Sequence, residues 1–142
     1  MDNKFLLSIR IVFLGVFIAP VIFLCVVLAM QKDIARPLTR ADDPFLYIVI
    51  IVATMAVISS NMLYRLRLPA VKALTSNSEK LAGWRTLFIV RLAMIEGATL
   101  FAIVALLLQE CQIYLYIAAA LIGVQTLNFP KPSSIQNDIE LN

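Results

Sequence analysis

Residues 84–108, WRTLFIVRLAMIEGATLFAIVALLL, decide in which solvent this chain folds. The stretch carries three charges, Arg85, Arg91 and Glu96, and otherwise runs through Leu, Ile, Val, Phe and Ala without a turn signal. A hydrocarbon layer of about 30 Å is crossed by about 20 apolar residues of helix rising about 1.5 Å each. The run exceeds that length. Just upstream, Ser76 followed by Glu79 has the form of a capping box, in which the two side chains satisfy backbone N–H groups of the first turn. A helix is therefore predicted over residues 77–108, with its first two turns projecting beyond the hydrocarbon.

Three more apolar blocks lie around it. The first spans residues 5–30 and contains Arg10 and a mid-block Pro20, which predicts a kink compensated by neighbouring helices. It is longer than the roughly 7–15 apolar residues of a secretory signal, so a retained helix is expected. Residues 31–43 form a charged loop, after which Pro44 opens a second helix over residues 44–64 at a position where its missing N–H costs nothing. Residues 69–74 are short and amphipathic, fit to lie along the headgroups. Residues 109–112 form a tight turn into a fourth helix over residues 112–129, ended by Pro130-Lys131-Pro132. A tail over residues 133–142, with Ser134 as a cap signal and Ile135, Ile139 and Leu141 as its apolar residues, reads as a short surface helix or a frayed end.

Composition agrees with this pattern. Of 142 residues, 61% are hydrophobic and 15% charged, against roughly half and a quarter in soluble domains, and mean hydropathy is +0.90. The expected class is all-α: a polytopic integral membrane protein built as a four-transmembrane-helix bundle. The net charge of +3 is topological rather than a nucleic-acid footprint, because Lys and Arg cluster at block ends. With the N-terminus inside, eight Lys and Arg flank the inner side and three the outer, so both termini are expected in the cytosol.

The same inventory bounds the chemistry. There is no His, and the two cysteines, Cys25 and Cys111, lack metal or redox spacing and are expected to be buried and inert. Four scattered glycines form no phosphate loop, so nucleotide, cofactor and metal are all unexpected. Glu96 is the one acid deep in an apolar block, where a carboxylate is costly unless paired, protonated or hydrated. Arg91, five residues earlier, points elsewhere on the same helix. Arg10, Ser60, Asn61 and Gln125 fall at comparable depth on other helices, which predicts a polar layer centred on Glu96 with Arg10 or Arg91 as counter-ion. The alternative for each is structural: arginines that snorkel, and a carboxylate that fixes helix register. Ala93 and Gly97 form a small-x-x-x-small step, suited to internal packing or to dimerisation through helix three.

The segment 91–108, with its Arg91-x-x-x-x-Glu96-Gly97 pattern, and the Pro130-led acidic tail resemble a family of four-helix bacterial inner-membrane proteins with no assigned activity. The resemblance implies the architecture and a bacterial inner membrane, and no mechanism. Glu96-Gly97 and the apolar run after it also look locally like the carboxylate helix of rotary ATPase proteolipids, but those are glycine-rich hairpins. Small multidrug transporters likewise carry an essential Glu in helix one, where this chain has Arg10 and Gly15. Two readings follow. The first is a non-enzymatic accessory or scaffold subunit packed in the lipid bilayer, in a homo-oligomer or a larger membrane complex. The second is a small oligomeric transporter or ion-coupled carrier in which Glu96 titrates. They differ in what Glu96 pairs with.

Overall fold

The computed structural model describes residues 3–31, 37–38 and 43–139. The charged residues Lys32, Asp33, Arg36, Arg40 and Asp42 of the first loop, and Leu141 of the tail, lie outside them. The described chain is entirely helical: α1 (Asn3–Met30), α2 (Pro44–Lys72), α3 (Asn77–Gln109), α4 (Gln112–Leu127) and α5 (Pro132–Ile139). Helices α1, α2 and α3 are each long and apolar enough to cross a membrane, whereas α4 has 16 residues, about 24 Å of helix. It stops two residues before the expected end at Phe129.

Helix α3 is the hub, packed against α1, α2 and α4. Its buried face runs through Trp84, Phe88, Leu92, Ile95, Thr99, Ala102 and Leu106, the three- and four-residue spacing that keeps side chains on one side of a helix. The core divides in two along this face. Towards the α1–α2 loop and the α3–α4 turn, which we call the turn end, Ala98, Ala102, Ala105 and Ala118 admit close helix approach around Ile103, Leu106 and Tyr114. Towards the termini, the tail end, the core is aromatic: Phe13, Trp84 and Phe88 pack with Ile9, Leu92, Ile135 and Ile139.

The local chemistry explains most boundaries. Pro44 does start α2, and Asp43 caps it, its Oδ1 accepting from the Phe45 N–H at 3.0 Å. Ser76 precedes α3 as expected, but it makes no side-chain cap: its Oγ meets the Ser78 hydroxyl at 2.7 Å instead. The turn after α3 is made by Glu110 in the left-handed region (φ 53°), which sends its N–H back to the Leu106 carbonyl at 3.0 Å. Helix α1 continues through Pro20.

Two expectations are corrected. The amphipathic piece at residues 69–74 is no separate surface segment, because α2 continues through Pro69 to Lys72. Proline removes one helical donor, and Val71 beyond it is buried, lying where a Cβ on Gly83 would meet its methyls at 3.1–3.2 Å. Gly83 thus lets α3 approach the end of α2. As far as Ile139 the tail is also a helix docked on the bundle rather than a surface helix or a frayed end. Ile135 and Ile139 are fully buried, Ser134 lies inside α5 rather than before it, and the helix docks on α2 and α3. Of the cysteines, Cys111 is buried as expected, whereas Cys25, also expected to be buried, is exposed.

Candidate functional site

Arg91 and Glu96, the two charged residues in the middle of α3, face different ways. Arg91 points towards α2. Its Nη2 donates to the Asn61 Oδ1 at 2.6 Å, and its guanidinium lies 5.1 Å from the centroid of the Tyr64 ring, a cation–π geometry. Asn61 is oriented for this by its own Nδ2, which donates to the Val57 carbonyl at 2.9 Å. The Tyr64 hydroxyl donates to Asp138 of α5 at 2.5 Å, and the Trp84 indole N–H donates to the Tyr64 oxygen at 2.8 Å and to Asp138 at 3.3 Å. Arg91, Tyr64, Trp84 and Asp138 line a pocket of about 300 Å³ together with Asn128 and Phe129, just past the end of α4. Three helices therefore meet in one polar cluster, and α5 contributes its only acid.

Glu96 is not part of it. Five residues on an α-helix turn through about 140° beyond a full circle, so Glu96 emerges on another side of α3 from Arg91. It is half-buried at the bundle edge, and among the described residues no hydrogen bond or ion pair reaches it. The expected counter-ions are both engaged elsewhere. Arg91 is held by α2, and Arg10 is exposed with its guanidinium 5.8 Å from the Phe129 ring centroid. Of the residues expected in one polar layer, only Asn61 and Arg91 meet, in a cluster with Tyr64 and Asp138 that does not include Glu96.

Ala93 and Gly97 flank Glu96 and are both exposed, with nothing within 4 Å of the position a Gly97 Cβ would take. Internal packing is therefore not their role: the small-residue step lies on the outer surface. Of the remaining candidates, Ser60 is buried and returns its hydroxyl to the Val57 carbonyl at 3.0 Å, a local helix contact. Gln125 is 1% exposed, and its carboxamide has no hydrogen-bond partner among the described residues. No group of three or more His, Cys, Asp or Glu among the described residues is placed to hold a metal.

Sequence reasoning named Asn61 and Arg91 but not their link to Tyr64, Trp84 and Asp138. The available signal was the tail itself, in which Ile135 and Ile139 stand four apart with Asp138 beside them, an amphipathic helix whose acid sits next to its apolar face. No family model, curated protein or solved structure matches the chain.

Proposed function

We propose that this chain is a small non-enzymatic accessory or scaffold subunit of a bacterial inner membrane, which docks a partner's transmembrane helix on the α3 face carrying Ala93, Glu96 and Gly97. In this reading α4 completes four spans, and both termini are cytosolic by the eight-to-three distribution of Lys and Arg. The bacterial inner membrane follows the resemblance of the Arg91–Glu96–Gly97 pattern.

One observation carries the proposal: on a helix long and apolar enough to cross a membrane, the Glu96 carboxylate has no counter-ion among the described residues and stands between two small residues that face outward. An isolated charge at that depth costs about 2.5–3.5 kcal/mol or more. A Lys or Arg on a closely packed helix removes that cost, and Ala93 and Gly97 permit the close approach. The guanidinium of Arg91, by contrast, finds a partner in Asn61 and a ring face in Tyr64, its buried Nε alone lacking a hydrogen bond among the described residues, and the cluster has the character of a structural clamp.

The same lack of a counter-ion supports a second reading, an oligomeric ion-coupled carrier in which Glu96 exchanges a proton or cation. The two separate on the particle extracted from native membranes with mild detergent. The subunit reading expects a hetero-complex heavier than the chain, from which Glu96→Gln and Gly97→Leu each release the free chain. A particle whose mass is one or several copies of this chain alone, unchanged by Glu96→Gln, overturns it.

A further inference from the structure

A second feature lies between α2 and α4, in a pocket that Glu96 does not line. Helices α2 and α4 both pack on α3 but hardly on each other, which leaves a groove of about 400 Å³ between them. Its walls are apolar: Ile50, Ala53 and Val57 from α2, Ile117, Ala120 and Val124 from α4. Val57 and Ile58 also line a second depression of about 630 Å³ that continues along α2 to Asn61 and Arg65. The residues on α2 recur every three or four positions from Ile50 to Arg65, so the two hollows form one channel along a single helix face. At about 1.5 Å per residue it runs about 22 Å, on the order of one leaflet including its headgroup region.

The chemistry changes along this channel in one direction only. It is hydrocarbon-lined for its first three turns and ends at an exposed guanidinium, Arg65, beside the Asn61 carboxamide. Arg91 reaches that carboxamide from behind, which adds a second positive charge at the same end. No acidic residue occurs on α2 at any position. A ligand complementary to this surface has a long apolar tail and an anionic head at one end. From this we infer that the α2–α4 groove is a specific site for one anionic glycerophospholipid, with an acyl chain between Ala53 and Ala120 and its phosphate on Arg65. A guanidinium binds phosphate through paired N–H donors, and anionic lipids concentrate beside basic helix ends. The inference rests on the helices spanning a membrane and is independent of any partner at Glu96.

The test is native mass spectrometry of the full chain released from nanodiscs containing equal phosphatidylglycerol and phosphatidylcholine. The expected result is one retained phosphatidylglycerol per chain, with at least a tenfold preference over phosphatidylcholine. Arg65→Gln brings the preference to near unity. Ala120→Leu, which fills the groove, removes retention of both lipids, and Arg67→Gln, on another face of α2, leaves the preference intact. Equal retention of the two lipids by the unaltered chain overturns the inference, as does an Arg65→Gln variant that keeps the preference. A chain released as a dimer that Ala120→Leu dissociates overturns it too, since the groove then belongs to a second copy.

Discussion

The two ends of the bundle are closed by different means. At the turn end, the chain satisfies its own helix termini. The Gln31 Nε2 donates to the Leu106 and Leu107 carbonyls at 3.1 and 3.3 Å in the last turn of α3, where the Leu106 carbonyl also accepts from the Glu110 N–H. The Pro37 and Leu38 carbonyls accept from the first N–H groups of α4, Gln112 at 3.2 Å and Ile113 at 3.1 Å. Asp43 caps α2 and also accepts from the Tyr114 hydroxyl. At the tail end the links are between side chains far apart in sequence, Tyr64 and Trp84 with Asp138, and they depend on a helix of only eight residues. At one end most links involve a backbone group, with Asp43 and Tyr114 joined by side chains besides, whereas at the other they run between particular side chains and a short terminal helix. The tail end is therefore where single substitutions act most strongly.

The largest effect is expected from Ile135→Asp. Each buried Ile contributes about 1.5–3 kcal/mol, and a charge in its place cannot remain docked, so α5 detaches. Limited proteolysis then cuts residues 132–139, and Trp84 fluorescence shifts to the red. A protected tail would place its hold elsewhere than in Ile135 and Ile139. Asp138→Ala comes next, with a loss of about 1.5–3 kcal/mol expected for two hydrogen bonds to a charged acceptor, read as a lower thermal midpoint in detergent. Asp138→Asn should recover part of that loss. At the turn end, Gln31→Ala removes the hydrogen bonds to the Leu106 and Leu107 carbonyls and costs about 1 kcal/mol. The smallest effects compare two glycines on α3. Gly97→Ala meets open space and should stabilise the isolated chain by about 0.5–1 kcal/mol. Gly83→Ala should give less or nothing, because its methyl meets Val71 at 3.1 Å.

The helices were legible because a bilayer selects by length and composition, and because Pro44 and the residues 109–112 carry their turn chemistry locally. The extension of α2 was not, since Pro69 reads as a stop and the burial of Val71 against α3 that carries the helix past it is tertiary. Asp138 escaped for the same reason. Its partner Tyr64 lies 74 residues away, and nothing in either segment specifies the other. Glu96 stood out at once, because a carboxylate in an apolar run needs no context to be unusual. What it would meet was not legible: the expectation of an arginine rested on depth alone, and the angle around α3 decides the matter.

That angle leaves Glu96 without a counter-ion among the described residues, and in the proposed reading a partner chain neutralises it. The direct test is carbodiimide labelling over a pH series, with mass spectrometry locating the modified residue and Glu96→Gln as control, on the purified chain and on native membranes in parallel. The reagent modifies a protonated, accessible carboxyl. The account predicts labelling of Glu96 in the purified chain and protection in native membranes, where a partner's basic residue holds it ionised. Equal, pH-dependent labelling in both preparations would contradict it and assign Glu96 to a titrating carrier site.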